Sequence, residues 1–230
     1  MLERYIQAIR TDDPGLEEPA ATRERLKGSF APGAVRRMTQ LGLLVGAAVG
    51  ELAPTEDDTV VYASAFGEGR ALEAYLNSFP AASPTLFQTS IHPSAVQQVL
   101  IGRQRSVREF FPLSGGPYLA GQAVLTVLLA PAPRVLLCGG EERGTWLVEH
   151  GATSAITFAF ALALTRTPDA TTIGRLALAP VEGTGALPLA AWFELLHRRQ
   201  PFTGVVAPGW QLLLEWSQTR ALTPLRIAAE

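Results

Sequence analysis

One stretch, residues 107–140, decides the fold: it reads VREFFPLSGGPYLAGQAVLTVLLAPAPRVLLCGG. Residues 107–111 predict a short strand, and the almost wholly apolar residues 117–129 predict a buried helix. A second strand is predicted at 135–138, where it ends on Gly139-Gly140. Strand, tight turn, buried helix and strand, in this order, are typical of a parallel sheet that is covered on both faces.

The turn between the first strand and the helix contains Ser114, followed by two glycines. Backbone N–H groups at the start of a helix are unpaired and favour negative charge, so Ser114 is a candidate nucleophile. The pattern is not G-x-S-x-G, however, no Asp–His pair is placed by the sequence, and Pro117 lacks an N–H donor. The alternative interpretation is a helix cap, or a remnant of a lost nucleophile.

Composition and charge limit the classes of function. The 230 residues are 47% hydrophobic and 17% charged, which predicts one globular α/β domain with a large core. A net charge of −2 argues against nucleic acid or an anionic membrane as a general partner. The N-terminus lacks a secretory apolar segment, and no apolar run is long enough to span a bilayer, so we expect a cytoplasmic protein.

No cofactor or metal is expected. Gly67, Gly69 and Gly139-Gly140 form neither a dinucleotide-binding pattern nor a P-loop. No group of His, Cys, Asp and Glu has metal-ligand spacing, and His150 and His197 are interpreted as surface residues. The one cysteine, Cys138, is expected to be a small buried core residue.

Three parts of the chain are expected: a peripheral segment 1–34, a single domain 35–216 and a C-terminal tail 217–230. Residues 3–10 predict a turn or two of helix, and residues 87–91 an extended piece. Further helices are predicted at 35–52, 70–79, 94–101 and 188–198. Strands are predicted at 59–65, 152–164 and 172–178, the last two as an antiparallel hairpin at the sheet edge, and a final strand pair flanks Pro208-Gly209.

Several motifs occur in an order that resembles a known family. They are Arg36-Arg37-Met38-Thr39, Ser64-Ala65-Phe66-Gly67-Glu68, Ser83-Pro84-Thr85-Leu86-Phe87-Gln88-Thr89-Ser90-Ile91-His92, the strand that ends on Gly139-Gly140, and Gly151-Ala152-Thr153-Ser154-Ala155. Residues 36–178 resemble the N-terminal half of a β-ketoacyl synthase, a thiolase-like condensing enzyme. The short chain-length-factor-like proteins of aryl-polyene pathways are the most similar branch. Two positions depart from the motifs, since Pro93 replaces the usual Asn and His150 the usual Asp.

This resemblance implies an α/β, thiolase-like fold: a mixed, mostly parallel sheet with a buried central helix, about half of a full ketosynthase. Ser114 falls at or next to the position of the family's nucleophilic cysteine, and neither His150 nor His197 lies in a matching catalytic motif. A thioester-exchanging enzyme needs a thiolate, and a serine without an adjacent base rarely replaces it. The resemblance therefore implies a non-catalytic subunit that limits the length of an acyl chain.

Site residues and partners follow from the same resemblance. Phe87, His92, Phe110, Phe111 and Leu113 are expected to line an acyl tunnel or a subunit interface. A basic group, Arg103, Arg105 and Arg108, is a candidate docking site for an acyl-carrier protein, or else a solvated loop.

A partner is also expected on physical grounds. The helix 117–129 is apolar on every side, and a half-fold would leave one of its faces uncovered. We therefore expect a heterodimer with a full-length ketosynthase, or a homodimer. The alternative functions are a Ser114-dependent acyl transferase or hydrolase, and a structural homodimer without catalysis.

Overall fold

The computed structural model describes residues 1–31, 33–91 and 94–217, so His92 and residues 218–230 of the expected tail lie outside the described residues. The strands are β1 (Leu2–Asp12), β2 (Thr59–Ala63), β3 (Glu109–Leu113), β4 (Arg134–Glu141), β5 (Phe158–Thr165), β6 (Gly174–Pro180), β7 (Phe202–Ala207) and β8 (Trp210–Trp216). The helices are α1 (Pro19–Leu26), α2 (Gln40–Glu51), α3 (Gly69–Leu76), α4 (Pro84–Thr89), α5 (Ser94–Gly102), α6 (Leu119–Leu129) and α7 (Leu189–His197). None of the helices in these ranges is long and apolar enough to cross a membrane.

All eight strands form one sheet in the order β3-β2-β4-β5-β1-β6-β8-β7. Strand β2 runs parallel to β3 and β4, and the other five neighbouring pairs are antiparallel. The predicted α/β class is confirmed, but the expectation of a mostly parallel sheet is wrong. Parallel pairing is confined to the strands that are joined through α3 to α6, because parallel neighbours need long crossovers and antiparallel ones do not.

The N-terminal strand was not anticipated. Residues 3–10, predicted to be helical, belong to β1, which pairs with β5 on one side and with β6 on the other. Arg4 and Ile6 are buried by simple alternation, and a bulge between Ile6 and Ala8 then brings Ile9 to the interior. A spacing of three between Ile6 and Ile9 looks helical in sequence. This part of the segment 1–34 is therefore not peripheral.

Strand β1 also corrects the expected hairpin. Strands β5 and β6 do not pair with each other, because β1 lies between them, and neither is at an edge of the sheet. The predicted last pair is confirmed: β7 and β8 form an antiparallel hairpin around Pro208-Gly209. The predicted extended piece at 87–91 is wrong, since α4 begins after Ser83, whose hydroxyl accepts from the N–H of Leu86 at 3.3 Å.

The sheet is covered on one face along its whole length and on the other face over half of it. Helices α6 and α7 pack on the first face. Helices α2 and α5 pack on the second face over β2, β4 and β5. The remaining part of the second face is solvated, and there Arg175 bridges Glu3 and Glu215. One solvated face is common in antiparallel sheets.

Helix α6 is central, and the chain itself covers most of it. The helix contacts strands from both halves of the sheet as well as α7. On β7 the backbone comes so close that a Cβ added to Gly121 would lie 3.0 Å from the carbonyl oxygen of Val206. Strands β6, β8 and β7 thus take the place that was expected for a partner. The uncovered face expected for this helix is therefore reduced to a strip that contains Tyr118, Gln122 and Leu129, and further support for a partner has to come from other surfaces.

Candidate functional site

The turn after the edge strand β3 contains the predicted nucleophile position. Residues 114–118 are all exposed, and α6 begins at Leu119 with Tyr118 as its N-cap residue. The Ser114 hydroxyl donates to the carbonyl oxygen of Ala65, in the turn after β2, at 3.2 Å. Ser114 therefore does not cap α6. Its hydrogen bond links the exposed turn after β3 to the turn after β2.

Among the described residues, this geometry gives Ser114 no base. Its hydroxyl proton is directed at a carbonyl, which cannot remove it. The imidazole of His150 lies edge-on to Trp146, and that of His197 stacks on Phe193 and is hydrogen-bonded to Thr11 through Nδ1 at 3.0 Å. In the described ranges the contacts of these two histidines do not include Ser114, and no group of three or more His, Cys, Asp and Glu could hold a metal ion.

Cys138 is also in no position to act. It lies in β4 in the middle of the sheet, fully buried, with Sγ 3.6 Å from the carbonyl oxygen of Val61. Burial raises the pKa of this thiol, because an apolar interior disfavours the thiolate. The location agrees with the prediction of a core residue.

A buried carboxylate at the end of β4 organises the turn beside Ser114. Glu141 ends β4 and is 3% exposed. Its carboxylate accepts hydrogen bonds from the hydroxyl of Ser64 at 3.1 Å and from the N–H groups of Ala65 at 2.5 Å and Phe66 at 3.2 Å. Burial raises the pKa of Glu141 to about 7, and these three donors oppose that shift.

The next residue, Glu142, joins two helix starts. Its carboxylate accepts from the N–H of Leu41, in the first turn of α2, at 3.2 Å and from that of Arg70, in the first turn of α3, at 2.8 Å. Helix starts favour negative charge, so a carboxylate placed between two of them stabilises both. Burial still raises the pKa of Glu142. The sequence signal that could have located this pair is two acids directly after a buried strand.

We expect Glu141 to make the stability of the protein depend on pH. A raised pKa means that the folded state binds the proton more tightly than the unfolded state does. The stabilisation is complete below the unfolded pKa of 4.5 and is lost as pH rises to about 7. From about pH 5 to about pH 8 the free energy of unfolding should fall by up to about 3 kcal/mol. Urea unfolding followed by tryptophan fluorescence measures this fall.

The controls separate Glu141 from its surroundings. Glu141→Gln should flatten most of the pH dependence, and the remaining slope is ascribed to Glu142, whose pKa shifts in the same direction. Glu149→Gln, at an exposed glutamate, should leave the slope as in the wild type. An unchanged slope in Glu141→Gln would show that this carboxyl titrates at its ordinary pKa.

The described residues among those predicted to line an acyl tunnel, which exclude His92, do not form one tunnel within the chain. Phe110 packs on the core beneath α2 and α5, whereas Leu113 packs on the core of the opposite face of the sheet. Phe111 is 38% exposed on the edge strand. Phe87 lies on α4, with its ring 5.3 Å from that of Tyr75. A tunnel formed by these side chains remains a prediction, and it would need walls from another subunit.

Of the three arginines in the basic group, Arg103 is engaged within the chain and Arg105 and Arg108 are available to a partner. Arg103 donates to the carbonyl oxygen of Gly50 at 2.8 Å, at the end of α2, where a cation is favourable. Arg105 and Arg108 are exposed, and no salt bridge within residues 1–31, 33–91 and 94–217 includes them. Docking of an acyl-carrier protein here remains a prediction.

Comparisons with known proteins identify the fold. No protein-family model matches the chain, and no curated protein sequence does. Among solved structures, the ketosynthase ApeO in complex with its chain length factor ApeC from Xenorhabdus doucetiae matches with a TM-score of 0.63 and 20% identity, over 94% of this chain and 100% of the matched chain. The ishigamide ketosynthase/chain length factor matches with a TM-score of 0.56 and 12% identity, over 78% of this chain and 68% of that one. The chain therefore has the thiolase-like fold of condensing enzymes.

Proposed function

We propose that this chain is a non-catalytic, chain-length-factor-like subunit that pairs with a full-length β-ketoacyl-carrier-protein synthase in fatty-acid, polyketide or aryl-polyene-type biosynthesis. The observation that carries the proposal is the site at Ser114. By the family resemblance Ser114 falls at or next to the nucleophile position of a condensing-enzyme fold; its hydroxyl donates to a backbone carbonyl, and no base lies beside it among the described residues. A subunit that has the fold of a condensing enzyme but no catalytic site is suited to a role in the assembly of the enzyme.

Chain length supports the same interpretation. The match to the ApeO/ApeC complex spans 94% of this chain and all of the matched chain, so the two are of similar length. This size can accommodate one sheet with α6 at its centre, and its strands β6 to β8 occupy the space around that helix. A chain of about half the length of a ketosynthase can thus cover most of its own core.

The open edge of the sheet supports a partner. At one edge the segment after β6 protects β7, where a Cβ added to Gly185 would lie 2.7 Å from the carbonyl oxygen of Val205. At the other edge no strand of the described residues pairs with the outer side of β3, and Phe111 on it is half-exposed. An unprotected edge strand can pair with another chain, and the exposed residues 114–118 continue the same surface.

Reconstitution tests the proposal. Each full-length ketosynthase encoded in the same genome is expressed with and without this chain, and acyl products on the carrier protein are measured by mass spectrometry. We expect one ketosynthase to yield a defined product only when this chain is present. Equal product from that ketosynthase alone would refute the role.

Ser114→Ala provides a separate prediction. Since the hydroxyl only links two turns, we expect the reconstituted activity to stay within about fivefold of the wild type, because a single exposed hydrogen bond contributes roughly 1 kcal/mol or less. Initial rates of product formation measure this. Loss of turnover in Ser114→Ala, with an acyl adduct on the wild-type chain in intact-mass spectra, would instead favour the Ser114-dependent acyl transferase or hydrolase.

A further inference from the structure

A long part of the chain is free of charge. Residues 74–102 contain no Asp, Glu, Lys or Arg. At the 17% charged content of the whole chain, these 29 residues would carry about five such side chains. The first part, residues 74–91, comprises the end of α3, the helix α4 and the segments next to it, and we call it the neutral lobe. Absence of charge is unremarkable in a core but needs a reason on a surface.

The neutral lobe is a surface. Phe79 is 55% exposed, Phe87 51% and Ile91 47%. The ring of Tyr75 joins the two phenylalanines, at centroid distances of 5.4 Å to Phe79 and 5.3 Å to Phe87. A cluster of three aromatic rings is therefore presented to the outside of the protein. Such rings bury large apolar areas when a partner covers them.

Other exposed surfaces of this protein carry paired charges. The solvated face of the sheet has Arg175 between Glu3 and Glu215, and Arg25 pairs with Asp12 and Glu17. The neutral lobe has neither single charges nor ion pairs. Depletion of charge combined with enrichment in Tyr, Phe and Arg is the composition of the central part of a protein–protein interface.

Arg36 lies at the border of the neutral lobe. A cleft of about 520 Å³ lies between Thr85, Leu86, Gln88 and Thr89 of the lobe and the segment that precedes α2. Among the described side chains that line it, only the exposed Arg36 is charged. No salt bridge within the described ranges includes Arg36. A guanidinium in neutral surroundings is suited to receive a carboxylate from another chain.

We infer that the neutral lobe and Arg36 form a docking surface that the ketosynthase subunit covers with an uncharged apolar area and a carboxylate opposite Arg36. The inference rests on the proposed function. A ketosynthase is the occupant because both structures compared above are ketosynthase/chain-length-factor assemblies and because the lobe belongs to the half of the chain that carries the open edge strand β3.

Binding measurements with matched variants test this surface. The probe is the ketosynthase that the reconstitution identifies, immobilised for interferometry against the purified full chain. Phe87→Ser and Arg36→Glu should each raise Kd by about 30-fold or more, the effect of losing an interface hot spot. Leu129→Ser, at an exposed leucine on α6 outside the lobe, and Arg105→Glu should change Kd by less than about threefold, as rim or non-contact positions do. Thermal unfolding verifies that all four variants are folded.

Each contrary result has its own meaning. If the wild type binds the ketosynthase and the lobe variants bind equally well, the docking surface is wrong while the proposed function stands. If the wild type binds none of the ketosynthases of the same genome, the proposed function itself fails. If the wild type is a homodimer by light scattering and Phe87→Ser makes it monomeric, the occupant is a second copy of this chain, which also overturns the inference.

Discussion

Gly140→Ala is expected to cost about 3 kcal/mol or more of folding free energy, a large part of the roughly 5–15 kcal/mol of a typical domain. Gly140 pairs with Ala159 across the β4–β5 ladder. A Cβ at Gly140 would lie 2.2 Å from the carbonyl oxygen of Phe158 and 3.0 Å from the Cα of Ala159. Both are backbone atoms of a strand that hydrogen-bonds on both sides, so they cannot move away. The Gly139-Gly140 pair is thus a requirement for close backbone approach.

Urea midpoints of the purified variants measure this effect. Gly116→Ala is the matched control, because a Cβ at Gly116 would meet no atom within 4 Å. Its free energy of unfolding should change by less than about 0.5 kcal/mol, as for most exposed positions. A Gly140→Ala protein with a wild-type midpoint would show that β5 is more adaptable than its pairing on both sides suggests.

Arg4→Ala is the second substitution with a large expected effect. The Arg4 side chain is 1% exposed, and its guanidinium donates to the carbonyl oxygens of Ala130 at 2.7 Å, Ala132 at 2.8 Å and Pro133 at 3.2 Å. Ala130 follows α6 as its C-cap, where the helix end carries partial negative charge. Burial lowers the pKa of Arg4 to about 10, and the nearby charge of Arg166 contributes to this shift.

Removing Arg4 would deprive the carbonyl oxygens of Ala132 and Pro133 of their Arg4 donor and would open a cavity between β1 and the end of α6, whereas the carbonyl of Ala130 would keep Arg166 at 2.9 Å. We expect a loss of about 3–5 kcal/mol, measured by urea unfolding.

Arg10 lies on the same strand β1 and forms an exposed ion pair with Glu51. Arg10→Ala should therefore cost less than about 1 kcal/mol. A similar loss of folding free energy in both variants would contradict the prediction. It would show that any side-chain truncation on β1 is destabilising and that the hydrogen bonds of Arg4 have no special effect.

The central part of the fold could be predicted because it follows simple local rules. The run of apolar residues and its flanking strands predicted α6 and β4 within a few residues. The position of β1 could not be predicted, because its partners β5 and β6 are more than a hundred residues away and its bulge disguises the alternation. The cover of α6 was missed for a related reason: no local pattern indicates that β7 packs against Gly121.

The site was predicted in part. Spacing placed Ser114 in a turn after β3, but its role depends on the carbonyl of Ala65, which sequence cannot position. Glu141 and Glu142 carry no local pattern that predicts burial, and only the N–H donors from segments far along the chain show why they are buried. Long-range hydrogen bonds of this kind leave no periodic trace in a sequence.

The place of β1 between β5 and β6 has a consequence for how the protein is made. Strand β1 is synthesised well before its two partners in the described structure, which end at Thr165 and Pro180. At roughly 5–20 residues per second, β1 waits on the order of 10–30 s before its neighbours exist. During that time its apolar side chains need protection from aggregation, so the nascent chain should depend on a chaperone far more than the finished protein does.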